Sequence, residues 1–391
     1  WALPGGKIAV HRGLLTELSS EAELAAVLGH EVVHAAAKHS AQSITRGMLL
    51  QGAMVATAVA SQGEEYGSLL MTGGGLAAQL VNQKYGRDAE RESDLYGMRY
   101  MSAAGYDPAA AIDLQETFVR LSEGRDASWL AGMFASHPPS RERVENNRRT
   151  AQTLDPGGEY GRDRYQQAIA GLMRTKPAYE AHDKGRKAFA DGDLAAALSA
   201  AEEALSIEPG ETIFHALRGD VRYAQERFPD ALINFNRAVD RSPGYFYPLM
   251  RRGLVLQKLD RDSEAAKDLE ASIAILPTAQ ATNALGQIRL AQGDRDAAVK
   301  LFQAAAVSKS PAGAEAQGSL LEIDLPQNPQ RYLSVRLGLD GRGMLIAEVS
   351  NPGSADIRVA QLVVEYLQDD RQVRRYEVPL SLSEVAVPAQ K

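Results

Sequence analysis

The chain contains no cysteine among its 391 residues. This absence excludes thiol catalysis, disulfides and thiolate metal sites, so any bound metal ion must be held by histidine and carboxylate side chains. Positive charge is also in deficit, because 43 lysines and arginines face 50 aspartates and glutamates, for a net charge of −7. This balance repels a phosphate backbone and argues against nucleic acid as a partner.

The start of the sequence lacks the pattern of a signal peptide. It begins at Trp1 with no charged segment followed by an apolar stretch, and we expect any signal peptide to have been removed already. Apolar residues make up 45% and charged residues 24% of the chain, which excludes disorder and collagen-like repetition. At about 150 residues per domain, the length predicts two or three compact units.

Charge is absent from two segments, residues 47–63 and 66–83, which are separated only by two glutamates. A helix that crosses a bilayer needs about 20 predominantly apolar residues, whereas these segments contain glutamines, threonines and a run of glycines. Two interpretations are open. The segments form either a buried or lid-like pair of helices, or a hairpin that packs through small residues and touches a membrane peripherally through residues 47–83.

The first 150 residues are predicted to be mostly helical. A turn signal at residues 4–6 precedes a short strand, residues 7–11. The pattern of a capping box begins at Ser20 and predicts a helix to about His39, because the apolar residues that follow it have a helical period. A second helix is expected over residues 87–104 and a third after Asp107 to near Glu123.

The first of these helices contains His30, Glu31 and His34, which together form the pattern HExxH. Residues at i and i+4 project from one helical face, so both imidazoles can reach a single ion while Glu31 holds a water molecule beside it. A catalytic zinc ion takes three protein ligands and leaves the fourth position open. A third ligand is therefore required elsewhere.

The second helix offers Glu90 and Asp94, again at i and i+4, whereas Glu92 is turned about 200° away from Glu90. Glu90 is suited to reach the metal. Asp94 is suited to accept the second ring N–H of a ligand histidine and so to fix its tautomer. The alternative is that both are solvent-facing helix charges, and the HExxH pattern upstream favours the metal site.

Residues 177–312 repeat with a period of 34, seen in prolines 209, 243, 277 and 311. The accompanying glycines, alanines and aromatic residues resemble the tetratricopeptide repeat and predict four helical hairpins. Such hairpins stack into a superhelix whose concave face receives a peptide or protein partner. After Pro326 apolar residues alternate with period two, which predicts a small antiparallel β unit that forms part of an immunoglobulin-like sandwich.

Four motifs together resemble the soluble zinc metallopeptidases related to the CAAX prenyl proteases and the HtpX heat-shock proteases. They are LPGG, HExxH, ExxxD followed by AGYDP, and SHPPSRERV. The resemblance implies one zinc ion per chain, bound by His30, His34 and Glu90, with Glu31 as the base and Asp94 as the supporting carboxylate. A peptidase followed by tetratricopeptide repeats is similar to periplasmic members of this group, and membrane-bound relatives carry transmembrane helices where this chain has its uncharged segments.

The expected fold is therefore mainly α, in four parts. They are a zincin-type metallopeptidase domain with a short edge strand (1–155), a linker helix (156–176), a tetratricopeptide solenoid (177–312) and an incomplete sandwich-like β unit (325–391).

His137 precedes a proline, which disfavours helix and places it in an extended loop before a helix that starts near Ser140. The resemblance implies that this histidine lies near the zinc ion. There it stabilises the oxyanion or occupies the fourth metal position and keeps the enzyme latent, and the alternative is that it only packs the loop. Arg141 either supports the same intermediate or braces the loop.

The remaining histidines are weaker candidates. His39 is interpreted as structural, near a helix C-terminus where a cation is favoured. His11 is expected near the entrance of the cleft, and His182 and His215 at the surface or groove of the repeats. The predicted strand residues Lys7, Ile8, Ala9 and Val10 form a candidate edge to which an extended substrate adds.

These features predict a zinc endopeptidase that cleaves unfolded or misassembled proteins, with the repeats recruiting clients. The family resemblance implies that it acts in periplasmic quality control of the envelope. The alternative is a repeat-based chaperone or scaffold whose zinc site is resting, capped by His137. Replacement of Glu31 by glutamine discriminates between the two, because only the first depends on this carboxylate.

Overall fold

The computed structural model describes residues 2–3, 5–39, 42, 86–123, 134–325, 327–328, 332–339, 345–350, 357–359, 361–368, 372–379 and 385–387. Over these residues the chain is mainly helical, as predicted, and it divides into two compact units, residues 1–177 and 178–391. Each unit is described by itself.

The first unit begins with a short antiparallel pair of strands and continues with helices. The elements are β1 (Ala2–Leu3), β2 (Lys7–Ile8), α1 (Arg12–Glu17), α2 (Glu21–Ala36), α3 (Arg87–Ala103), α4 (Ala110–Glu123), α5 (Arg141–Ala151) and α6 (Arg162–Ala190), which continues into the second unit. The predicted helices are confirmed, with α2 ending slightly early because Lys38 adopts a left-handed conformation at φ 57°.

The strand predicted for residues 7–11 is too long. It ends at Ile8, where the pairing with β1 stops. His11 is the N-cap of α1, and its Nδ1 accepts a hydrogen bond from the backbone N–H of Gly13 at 3.0 Å. Ala9 and Val10 therefore lie outside the strand, and the candidate substrate edge contains only Lys7 and Ile8 as strand residues.

The N-terminus of α2 is capped close to the predicted way. The Ser20 hydroxyl accepts from the N–H of Glu23 at 3.1 Å. The Glu23 carboxylate reaches back one residue further than a capping box requires, and it accepts from the N–H of Ser19 at 2.7 Å. This cap fixes the start of the helix that carries the HExxH pattern.

The core of the first unit lies between α2, α3, α4 and α6. It contains Leu14, Leu18, Ala22, Ala26, Val27, Met98, Met101, Ala110, Ala111, Leu114, Phe118, Tyr165 and Ile169. Helices α2 and α3 cross at Gly29 and Gly97, where an added Cβ on Gly29 would lie 2.7 Å from the Gly97 carbonyl oxygen. This close crossing brings the residues after Gly29 against those before Gly97.

The second unit contains the repeats. Its further helices are α7 (Leu194–Ile207), α8 (Thr212–Ala224), α9 (Phe228–Arg241), α10 (Phe246–Lys258), α11 (Asp262–Ile275), α12 (Ala279–Ala291), α13 (Arg295–Ala306) and α14 (Pro311–Ile323). The four predicted hairpins are present, the first being formed by the C-terminal part of α6 with α7. Their recurring glycines admit a neighbouring side chain, as at Gly219, where an added Cβ would lie 2.8 Å from the Phe235 ring.

The boundary predicted between a linker helix and the first repeat falls inside one continuous helix. Helix α6 starts at Arg162 and continues through Pro177 to Ala190. Proline removes one backbone hydrogen bond from a helix, yet the turn after it is held by the buried Ala178 and Ala181. Packing therefore outweighs the local preference of proline to end a helix.

The C-terminal region contains paired antiparallel strands, as predicted. They are β3 (Ser334–Leu339) with β4 (Leu345–Ser350), β5 (Ile357–Val359) with β8 (Val385–Val387), and β6 (Gln361–Gln368) with β7 (Gln372–Pro379). The uncharged segments at residues 47–83 lie outside the described residues. None of the described helices carries a stretch long and apolar enough to cross a bilayer.

Candidate metal centre

The two histidines of the HExxH pattern point to the same place from the buried face of α2. Their Nε2 atoms lie 2.9 Å apart. His34 is 1% exposed and Glu31 5% exposed, so this face of the helix is shielded from water. The spacing of one helical turn has placed both imidazoles on one side, as the i, i+4 relationship requires.

Glu90 reaches the same place from α3. Its Oε1 lies 3.2 Å from His34 Nε2 and its Oε2 lies 3.6 Å from His30 Nε2. The carboxylate is 4% exposed. The close crossing of α2 and α3 is what brings this glutamate within reach of both imidazoles.

His137 completes the cluster from the loop before α5. Its Nδ1 lies 3.0 Å from Glu90 Oε1 and 3.3 Å from His30 Nε2, and its Nε2 lies 3.5 Å from Glu31 Oε1. One ligand atom from each of His30, His34, Glu90 and His137 lies within 4.8 Å of the others. Four buried side chains thus converge on one point in the described part of the chain.

The donor set fits a zinc ion. Three imidazole nitrogens and one carboxylate oxygen are ligands that zinc prefers in the absence of cysteine, and four is its usual coordination number. The four groups come from three separate elements, α2, α3 and the loop before α5, which is how a folded protein assembles a site that the unfolded chain lacks. The cluster could therefore hold a metal ion.

Asp94 supports His30 from the opposite side. His30 Nδ1 donates to Asp94 Oδ1 over 2.9 Å, which leaves the Nε2 lone pair directed at the cluster. Arg143 donates hydrogen bonds to both oxygens of the same carboxylate, from Nε to Asp94 Oδ2 and from Nη2 to Asp94 Oδ1, each over 2.7 Å. Its Nη1 lies 2.8 Å from Glu90 Oε2. One buried guanidinium thus anchors two carboxylates of the site.

Arg143 was missed by the sequence analysis, which selected Arg141 instead. The structure does not bring Arg141 to the cluster: its side chain is 87% exposed and lies 3.6 Å from Glu123. Arg143 is 7% exposed and shares the buried face of α5 with Val144 and Asn147. The signal that finds it is helical periodicity, because Val144 marks the inward side of a helix capped at Ser140.

The electrostatics of the cluster favour ionised carboxylates and a neutral His34. Burial opposes the charge on Glu90, but His30 and the hydrogen bond from His137 outweigh it and lower the pKa of Glu90. Glu31 behaves similarly, since His137 and His30 overcome burial and lower its pKa. Burial lowers the pKa of His34 to about 4, which keeps its ring neutral at physiological pH.

His39, His182 and His215 are buried, and His215 also lines a cavity of the repeats. His182 and His215, expected at the surface or groove of the repeats, are only 6% and 5% exposed. His182 packs against the Phe214 ring with centroids 5.3 Å apart, and His215 Nε2 donates to the Pro209 carbonyl at 2.9 Å. His39 is 5% exposed and contacts His34, a more specific placement than a helix-end cation.

Comparison with known families divides the chain in the same order as its motifs. Residues 1–151 match the model of peptidase family M48, and residues 182–246 and 250–321 match the tetratricopeptide repeat. The chain therefore contains a peptidase family M48 domain followed by tetratricopeptide repeats.

Three curated relatives resemble the first part of the chain. The mitochondrial metalloendopeptidase OMA1 of Arabidopsis thaliana is 34% identical over 37% of this chain and 27% of its own length. The putative beta-barrel assembly-enhancing protease of Vibrio cholerae is 30% identical over 40% of this chain and 33% of its length. The metalloprotease LoiP of Escherichia coli is 34% identical over 38% of this chain and 56% of its own length. The chain thus spans between about a quarter and just over half of the length of these relatives.

Proposed function

We propose that this chain is a zinc-dependent endopeptidase that cleaves unfolded or misassembled proteins. The observation that carries the proposal is the convergence of His30, His34, Glu90 and His137 within 4.8 Å, beside Glu31, in a peptidase family M48 domain. The relatives that match this domain are named as metalloproteases and metalloendopeptidases, which supports the same class of reaction.

One zinc ion per chain is held, in this proposal, by His30, His34 and Glu90. The chemistry that a bound zinc ion supplies is that of a Lewis acid, which activates water and polarises a carbonyl group. Asp94 and Arg143 keep His30 and Glu90 oriented through the contacts described above. The protein thereby presents its ligands before the ion arrives.

Glu31 acts as the general base. Its lowered pKa keeps the carboxylate ionised, so that it accepts a proton from the attacking water and later delivers that proton to the leaving amine. The side chain is 5% exposed, so little bulk solvent is present to exchange protons with it. Glutamine at this position keeps the shape of the side chain but cannot take the proton.

His137 holds the site latent by occupying the fourth ligand position. Its Nδ1 lies 3.0 Å from Glu90 and 3.3 Å from His30, closer than the 3.6 Å between His30 Nε2 and Glu90 Oε2, which supports this role. When the loop moves away, the position becomes available to water. Movement of this loop controls activity in the proposal.

The substrate adds as an extended chain beside Lys7 and Ile8. Main-chain hydrogen bonds to an edge give affinity without demanding a particular side-chain sequence. Such binding selects chains that are unfolded or partly folded, because a folded segment cannot present a free strand. This preference matches quality control better than the processing of a single folded target.

The repeats recruit protein clients or partners in this proposal, with the concave face as the binding surface. Their order after a peptidase domain, and the name of the Vibrio cholerae relative, support a role in the periplasm during quality control of envelope proteins. A cavity of about 420 Å³ in the repeats is lined by Arg218, Arg237 and Arg241 and by one carboxylate, Asp240. The excess of positive charge in this lining favours acidic segments of a client.

Membrane contact through residues 47–83 is proposed as an accompaniment, because both segments lack charge. Flotation with liposomes tests it by comparing the full chain with a variant that lacks these residues. Equal flotation of the two would remove the idea.

The test of the proposed activity is cleavage of casein by the zinc-loaded wild type, Glu31→Gln and His137→Ala. We expect Glu31→Gln to abolish cleavage while zinc is retained, and His137→Ala to increase it. The second candidate function is a chaperone or scaffold with a resting zinc site, which the position of His137 within the cluster favours. Client processing in cells that is equal for the wild type and Glu31→Gln would establish the scaffold and overturn the peptidase.

A further inference from the structure

His39 lies directly behind the second histidine of the HExxH pattern. It follows the left-handed Lys38 that ends α2, and its ring turns back so that its Nδ1 lies 3.0 Å from His34 Nδ1. Its other nitrogen, Nε2, lies 3.3 Å from Glu92 Oε2 on α3. His39 is 5% exposed, whereas the Glu92 side chain is 49% exposed.

We propose that His39, held by Glu92, is a positioning residue that fixes the tautomer and ring orientation of His34 for metal binding. The inference rests on the proposed metallopeptidase function and adds two residues to it. His39 contacts His34 on the side that faces away from the other ligands, and Glu92 acts through His39.

The hydrogen-bond polarities leave a single consistent arrangement for a metal-binding His34. An ionised Glu92 only accepts, so His39 carries its proton on Nε2 and keeps a lone pair on Nδ1. That lone pair accepts the Nδ1–H of His34. His34 must then carry its lone pair on Nε2, the atom that lies 2.9 Å from His30 Nε2 in the cluster.

The arrangement parallels the support of the other histidine ligand. His30 donates its Nδ1–H to Asp94, which Arg143 anchors, and His34 donates its Nδ1–H to His39, which Glu92 anchors. Ligand histidines in proteins usually donate their second N–H to an acceptor that sets the tautomer, and loss of that acceptor weakens metal binding. Without His39, His34 would be free to adopt the tautomer that presents N–H to the cluster.

The experiment compares zinc affinity, by competition with a chelator, in the full-length wild type, His39→Phe and His39→Gln. Phenylalanine keeps a ring in the buried site but removes the acceptor, whereas glutamine retains an acceptor oxygen. We expect His39→Phe to raise the zinc dissociation constant about 10- to 100-fold and His39→Gln to recover most of the loss. Glu92→Ala, at a half-exposed position, should have a smaller effect. His182→Phe replaces a histidine that is also buried but lies in the repeats. It serves as the matched control and should bind zinc like the wild type.

Unfolding of the zinc-free proteins separates positioning from packing. We expect metal-free His39→Phe to have a free energy of unfolding close to that of the metal-free wild type, while its zinc affinity falls. Wild-type zinc affinity in His39→Phe, or an equal loss in His39→Phe and His39→Gln, would overturn it. These results differ from failure of the proposed function itself, in which the wild type takes up no zinc or Glu31→Gln cleaves casein as well as the wild type.

Discussion

Gly29 and Gly97 meet backbone to backbone where α2 crosses α3, and a Cβ on Gly97 would lie 2.8 Å from the backbone nitrogen of His30. The neighbours of each added methyl group are backbone atoms, which cannot rotate away as a side chain can. The crossing therefore sets the separation of the two helices and, with it, the reach of Glu90 to His30 and His34.

Replacement of Gly97 by alanine should push the helices apart. We expect a loss of about 1–3 kcal/mol in the free energy of unfolding, the usual cost of overpacking, together with weaker zinc binding. Urea unfolding and chelator competition measure the two effects. Gly171→Ala in α6 is the control, since nothing lies within 4 Å of its added methyl group. It should be neutral or stabilising, and equal behaviour of the two variants would refute the argument.

Arg143→Gln should destabilise the first unit far more than Arg141→Gln. Removal of one partner from a buried ion pair costs about 3–5 kcal/mol, because the remaining charge is left in a dry environment. Arg143 holds Asp94 and Glu90, whereas Arg141 is 87% exposed. Exposed substitutions usually change stability by less than about 0.5 kcal/mol. Chemical unfolding of both variants checks this order, and a larger effect at position 141 would contradict it.

The repeats should lose stability on mild acidification through His215. Burial lowers its pKa below the ordinary 6.5, so the folded state disfavours the charged ring. The unfolded chain therefore binds the proton first, and the stability present above about pH 6.5 is lost as the pH falls through that value toward the folded-state pKa. The free energy of unfolding of the wild type and His215→Gln, measured at pH 7.5 and 5.5, tests this. The variant should show the smaller decrease, and an equal or larger decrease would exclude His215 as the cause.

The part of the site that could be predicted from sequence is the part set by helix geometry. His30 and His34 lie one turn apart on α2, and Glu90 and Asp94 lie one turn apart on α3, so each pair shares a face whatever the rest of the fold does. The structure brings all of them together. The metal-ligand roles themselves remain predictions for the experiments above.

The contacts that could not be predicted from the sequence depend on the path of the backbone after a helix ends. His39 reaches His34 only because Lys38 turns the backbone at φ 57°. Glu92, set aside because it faces away from Glu90, meets His39 on that other side. His182, expected at the surface or groove of the repeats, is buried against the Phe214 ring. Such placements follow from tertiary packing, which local pattern does not encode.

The zinc content per chain, measured by mass spectrometry of the purified protein in its native state, tests directly whether α2 and α3 build a metal centre. The wild type and a variant carrying both His30→Ala and His34→Ala are compared after identical exposure to zinc and dialysis. We expect one zinc ion per chain in the wild type and none in the variant. A wild type without zinc, or a variant that retains it, would contradict a metal centre built on α2 and α3.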